Sequence, residues 1–155
     1  VKLFKIETSR DRASEERAEM EQASGIAGWC VFAQDREKGH QKGIQLHNSS
    51  DAPVYDVVVE STYAATAKGE AQPLQPIRLS VLPPGDYVVF EHPEYHCAYA
   101  EERAALPASV RPVSKNPKWV VGSVAFTDAH GVKWIRRGGA LRRLDQATGP
   151  AASGA

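Results

Sequence analysis

IQLHNSSDAPVYDVVV, residues 44–59, decides how this chain folds. Two apolar runs, IQL and VYDVVV, flank a polar break, NSSDAP, that continues neither of them. Asn48, Ser49, Ser50 and Asp51 have side chains that hydrogen-bond nearby backbone, and Pro53 fixes its own φ, so the break reads as a turn. The stretch is therefore strand–turn–strand, with the neighbouring segments expected as further strands laid against this pair. Along the second strand a period of two places Tyr55, Val57 and Val59 on one face. Val54, Asp56, Val58 and Glu60 fall on the other.

Upstream, AGWCVFA (27–33) has two apolar faces, with Trp29, Val31 and Ala33 opposite Cys30 and Phe32. That pattern belongs to a strand covered on both sides, here by the other strands and by the helix or a loop. QDREKGHQK (34–42) is expected as an exposed turn. Downstream, TAKGEAQPLQP (66–76) is a loop. IRLSVL (77–82) is a strand with Ile77, Leu79 and Val81 on one face, PPGD (83–86) a tight turn, and DYVVFE (86–91) the next strand. WVVGSVAFTD (119–128) and VKWIRR (132–137) form a hairpin closed by residues 128–131. Trp119, Val121 and Phe126 are expected inward, Gly122 at a bulge, and Trp134 across from an aromatic or branched partner. ALRRL (140–144) adds an edge strand. Roughly seven evenly spaced strands without βαβ alternation define a mainly β fold, an immunoglobulin-like antiparallel β-sandwich preceded by one N-terminal α-helix.

That helix is expected over Arg10–Ser24, where Ala, Glu, Arg, Gln and Met dominate and Thr8, Ser9 and Asp11 supply cap-type residues. Gly25 and Gly28 end it, and VKLFKI (1–6) reads as a short strand or the tail of a longer element. Ala13, Ala18, Met20 and Ala23 make an apolar stripe too thin to hold such a helix alone. It has to lie on the sandwich, pair with another helix, or continue an upstream segment. The expected organisation is a helical segment at 1–26, the sandwich at 27–146 with an insertion at 92–118, and a disordered tail at 147–155.

With 155 residues, 42% of them hydrophobic, and three tryptophans, the chain can bury a core without disulfide staples. Its formal net charge of zero argues against general nucleic-acid binding. The balance hides an asymmetry. Residues 11–22 carry five acids (Asp11, Glu15, Glu16, Glu19, Glu21) against two bases, whereas residues 132–145 carry five bases (Lys133, Arg136, Arg137, Arg142, Arg143) against one acid. Either these are two solvated faces, or they meet, within the molecule or between copies. Cys30 and Cys97 show no CxxC spacing and read as two buried or idle thiols in a reducing cytoplasm, with a disulfide between them as the lesser alternative. No run reaches the length of a membrane span, so membrane association would require a segment outside this sequence.

Three pieces taken together, NSSDAPVYDVVV, LPPGD and FTDAHGVKWIRRGGALRRL, resemble a family of uncharacterised actinobacterial β-sandwich proteins. These share an N-x-S-x-x-P-V-Y-D-V segment, an L-P-P-G turn and an F-T-D-x-x-G-x-x-W-x-R hairpin. Asn48, Pro53, Tyr55, Asp56, Pro83, Pro84, Gly85, Asp128, Gly131 and Trp134 occupy the pattern, and all read as turn or core residues. The resemblance implies a Glu/Arg-rich helix before the sandwich, in some members after membrane-spanning segments. It implies no activity, and it is silent about residues 92–118.

Reactive groups concentrate in EHPEYHCAYAEERAAL (91–106). His92, Glu94 and His96 would share a strand face beside Cys97, a set a borderline metal such as zinc accepts. Pro93 spoils a regular strand, and four ligands this close on one chain rarely wrap a tetrahedron, so no metal site is expected and His92, His96 and Cys97 stand only as weak candidates. A Cys97–histidine pair lacks an orienting acid. The bland reading is a polar loop with a short helix over residues 98–106. His40, His47 and His130 lie in or beside turns and are expected solvated. No GxSxG, P-loop, GxGxxG or HExxH motif occurs, and neither a catalytic residue nor a cofactor is expected. The reading that follows is a non-catalytic interaction or scaffold module, part of a larger or membrane-associated assembly, which engages a protein partner or itself through the N-terminal helix. The alternative is a small-molecule or metal-binding, even enzymatic, domain using the 92–118 loop. Polysaccharide binding through exposed Trp or Tyr is a third, weaker one.

Overall fold

A computed structural model of the chain describes residues 2–35, 39–65, 69–90, 100–106, 109–115 and 118–144. The helix α1 spans Lys2–Ser24 and is followed by β1 (Ile26–Asp35), β2 (Gly39–Asn48), β3 (Val54–Tyr63), β4 (Gln72–Pro73), β5 (Ile77–Leu82) and β6 (Gly85–Phe90). Then come β7 (Glu101–Glu102), a 3₁₀ turn at Arg103–Ala105, β8 (Ser109–Pro112), β9 (Trp119–Thr127), β10 (Lys133–Arg137) and β11 (Ala140–Arg143). Every pairing is antiparallel. One sheet has the order β7-β6-β2-β1-β8; the other has β11-β10-β9-β3-β4, with β5 also paired to β3. Mainly β architecture with one N-terminal helix is thus as the sequence leads one to expect.

The core lies between the sheets. Ile26, Cys30, Ile44, Leu46 and Val89 from the first meet Val54, Val57, Val59, Leu82, Val124, Phe126 and Trp134 from the second. Phe126 sits directly opposite Trp134 in the β9–β10 register, the expected cross-strand partner. β1 and β2 pair along their whole length, so β2 begins at Gly39 and the exposed turn expected over 34–42 is largely strand.

The decisive stretch is two strands, but not a hairpin: β2 belongs to the first sheet and β3 to the second. NSSDAP is an arch between layers. The LPPG turn is another, joining β5 in the second sheet to β6 in the first, with Gly85 at φ 125°. Asn48 secures both. Its Nδ2 donates to the carbonyls of Ala52 (3.0 Å) and Leu82 (3.0 Å), while its Oδ1 accepts from the backbone N–H of Ser50 (3.0 Å).

Alternation on β3 differs from expectation. Asp56 sits at φ 49°, in the left-handed region that short polar side chains tolerate, and the β3–β9 register shifts between Tyr55 and Val58. Val54, Val57 and Val59 therefore point inward together, and Tyr55 turns outward. On β5 the inward set is Ile77, Leu79 and Leu82 in place of Val81, which is 43% exposed. The second shift, between Glu60 and Ser61 opposite Ser123 and Val121, is the bulge expected at Gly122.

β7 and β8 occupy opposite edges of the first sheet, about 19 Å apart at one strand spacing per step. The second sheet fills the first sheet's inner face and leaves an outer one. Val31, Ala33, Gln45 and Val88 are buried there. Both faces of β1 are covered, as its composition demanded, and helix residues 12–18, all exposed, take no part in that cover. The short helix expected over 98–106 is, in its described part, the two-residue β7 and the 3₁₀ turn. The tail at 147–155 lies outside the described residues.

Candidate interaction site: the helix and the sandwich end that holds it

α1 extends from Lys2, so residues 2–6 of the opening are helical where a short strand was one expectation. Residues 12–18 are all exposed, which is two full turns on every face, and Met20 is 53% exposed. The thin stripe of alanines and Met20 therefore packs on nothing until Ala23, which is buried in the core. Among the described residues no ion pair joins Glu15 or Glu16 to Lys133, Arg136, Arg137 or Arg142. The helix stands off the sandwich.

Its base is fixed. Arg136 on β10 donates from Nε to the carbonyl of Ile26 (2.7 Å) and from a terminal nitrogen to that of Ser24 (3.1 Å), both close to the carbonyl-rich helix end. Gln22 reaches the two neighbouring turns at once. Its Nε2 lies 3.5 Å from both Ser50 Oγ and the Ala52 carbonyl, and its Oε1 accepts from the N–H of Ala129 (3.2 Å). Ser49 N–H donates to the carbonyl of Gly25 (3.0 Å). A Cβ at Gly25 would come within 2.5 Å of Ser49 Oγ, so glycine is what lets arch and helix end approach.

The hairpin turn TDAHG is organised by Asp128. Its buried carboxylate accepts from the N–H groups of His130 and Val132 on one oxygen and from Trp134 Nε1 on the other, each at 2.9 Å. Thus NSSDAP, LPPG and TDAHG, far apart in sequence, are tied together at one end of the sandwich: Gln22 in the last turn of α1 bonds the first and third, and Asn48 bonds the first to the second. Asn48, Asp128 and Gln22 hold them there.

Elsewhere, the outer face of the first sheet carries a polar cluster the sequence reading missed. His47 Nδ1 lies 2.8 Å from Asp86 Oδ1, to which Gln45 Nε2 also donates (2.8 Å). Burial pushes the Asp86 carboxyl up, but the hydrogen bonds from His47 and Gln45 and the charges of His47 and Arg103 outweigh it and hold it below its ordinary value. His47 is therefore half-buried and partnered, not solvated; the signal was its place opposite Asp86 in the β2–β6 register, which no local pattern reveals. Beside it lies an open depression of about 500 Å³ lined by Gly85, Asp86, Tyr87, Glu102 and Arg103, among others. His40 stacks on Phe32 (4.8 Å between ring centroids) and His130 is exposed.

His92, Glu94, His96 and Cys97 lie outside the described residues. Among the described residues no group of three or more His, Cys, Asp or Glu side chains is placed to hold a metal ion, and no helix is long and apolar enough to cross a membrane. Cys30 is a free thiol, and burial raises its pKa against the opposing effect of Lys42. Comparison with protein-family models, with curated proteins and with solved structures finds no match to this chain.

Proposed function

We propose that this protein is a non-catalytic interaction module, an immunoglobulin-like sandwich that holds a long polar helix at a fixed angle for a protein partner. One observation carries this reading: two turn segments hydrogen-bond the last turn of α1, Asn48 ties a third to them, and residues 12–18 ahead of that turn are exposed on every face. Residues 12–18 bury no apolar stripe that would stabilise the helix, and bridging to a partner is one of the few roles that account for such a stretch. The immunoglobulin-like part of the proposal is supported by the strand order. β1-β2-β6 against β5-β3-β9-β10 matches the A-B-E and C-F-G layers of that topology with one added strand. A cytoplasmic location belongs to the same reading, in keeping with the free Cys30.

The test is photo-crosslinking in cells, with benzoylphenylalanine placed at Glu16 on the helix. Discrete protein adducts at Glu16, and none at exposed Ser109, opposite Gln34 at the other end of β1, are expected. A helix that gives no adduct under conditions where the protein is abundant sinks the interaction reading.

The depression beside Asp86 and Arg103 favours a second reading, a small-molecule site formed with the 92–118 segment. Its metal form predicts stoichiometric zinc in the purified protein, lost on His92→Ala/His96→Ala; protein that contains none removes it.

A further inference from the structure

The outward face of the second sheet is unlike the rest of the surface. Strand register arranges it in rows: Val81, Tyr55, Thr127 and Lys133 run across β5, β3, β9 and β10, and Arg78, Val58, Ala125, Ile135 and Arg142 run across β5 to β11. A third row adds Glu60, Ser123 and Arg137. The centre is therefore apolar, with Tyr55 and Val81 each 43% exposed, and the rim carries Arg78, Lys133, Arg137 and Arg142, all exposed. Glu60 on the face and Asp56 in the bulge beside it are the acids there among the described residues.

We propose that this basic-rimmed face of the second sheet is the docking site for the acidic helix α1 of a second copy of the chain. The proposal rests on the interaction-module reading and names its partner. Charge complementarity selects the occupant: the face offers four cations against two acids, and residues 11–22 offer five acids against two bases. Geometry makes the contact intermolecular. The helix leaves its own sandwich from a base fixed by Arg136, Gln22 and Ala23, and its residues 12–18 are exposed, so it does not fold back over its own β5-β3-β9-β10 surface. Arg78 and Arg142 stand at opposite ends of one row, about 19 Å apart, and the acidic stretch 11–22 is about 17 Å long as helix. A helix lying across the strands would bring Glu15 and Glu16 to the charged rim, with Ala18, on the same helix face as Glu15, small enough for close approach. Each copy carries both halves, so reciprocal exchange closes a two-fold dimer.

The experiment is sedimentation equilibrium of the full chain with charge-swapped variants. At low salt the protein is expected to be a dimer, with its Kd rising at least about tenfold between roughly 50 and 500 mM NaCl. Glu15→Arg/Glu16→Arg on the helix and Arg78→Glu/Arg142→Glu on the sheet are each expected to weaken it by about tenfold or more, and an equimolar mixture of the two variants to recover hetero-dimer. All four positions are exposed, and circular dichroism checks that each variant is folded. A benzoylphenylalanine at Val81 is expected to label the helix of an isotopically distinct copy. A chain that is monomeric at low salt overturns the proposal, as does a dimer indifferent to both reversals. A monomer that still gives adducts from Glu16 to another protein in cells removes self-docking alone and leaves the interaction reading standing.

Discussion

Asn48 shows how much of the architecture one side chain can hold. Its amide donates to two carbonyls, one in each arch between the sheets, and its oxygen accepts the Ser50 N–H. Asn48→Ala leaves the buried Leu82 carbonyl without that donor, and the expected destabilisation is about 2–3 kcal/mol, measured by chemical denaturation. Asp86 is a milder case with a sign that can be checked. Its folded pKa is lowered, so its contribution is complete above the unfolded value and disappears as pH falls through the folded one. Because the side chain is 36% exposed, solvent screening keeps the contribution to a few tenths of a kcal/mol. Asp86→Asn is expected to be slightly less stable at pH 7, with the gap closing below about pH 4. Cys30 gives a third measurement: its buried thiol is expected to react with an aromatic disulfide reagent only on unfolding, whereas prompt labelling in the native state would contradict its placement.

Among the elements, the strands were legible because their period and turn chemistry are local. The hairpin with Trp134 opposite Phe126, the bulge at Gly122 and the edge strand at 140–144 all follow from a few consecutive residues. What was not legible depends on partners distant in sequence. Asp56 adopts a left-handed conformation, and nothing in VYDVVV signals it, so the inward set on β3 shifted by one. NSSDAP and LPPG carry the chemistry of tight turns, yet whether a turn joins neighbours or layers depends on where the chain goes next. The His47–Asp86 pair likewise exists only once β2 and β6 are aligned. At the helix, charge composition was plain while its attachment was not, since Arg136 lies more than a hundred residues from the carbonyls it grips. Arg136→Met is expected to lower stability by about 2 kcal/mol and to loosen the helix angle, read as a broadened distance distribution between spin labels at Ser14 and Arg111.

For the whole molecule, the sandwich and the helix are separable in energy although joined in structure. Only Ala23 among the described helix side chains belongs to the core. Removing residues 1–20 is therefore expected to shift Tm of the monomeric sandwich by less than about 2 °C, whereas removal through Ser24 takes away Gln22 and Ala23 and costs several degrees more. A large loss from the shorter truncation would show that the helix is part of the packed body. The same division explains why the candidate site was half visible: an acidic helix and a basic C-terminal run stand out as compositions, but the basic face also draws Arg78, Tyr55 and Val81 from strands whose outward residues only the register identifies.

Both rims of the first sheet are edged by one piece of chain, since β7 and β8 are consecutive strands in sequence. A proteolytic nick between them would unseal two strand templates together. Any fibre-forming tendency of this protein is thus expected to surface with cleavage there, well before the sandwich itself melts.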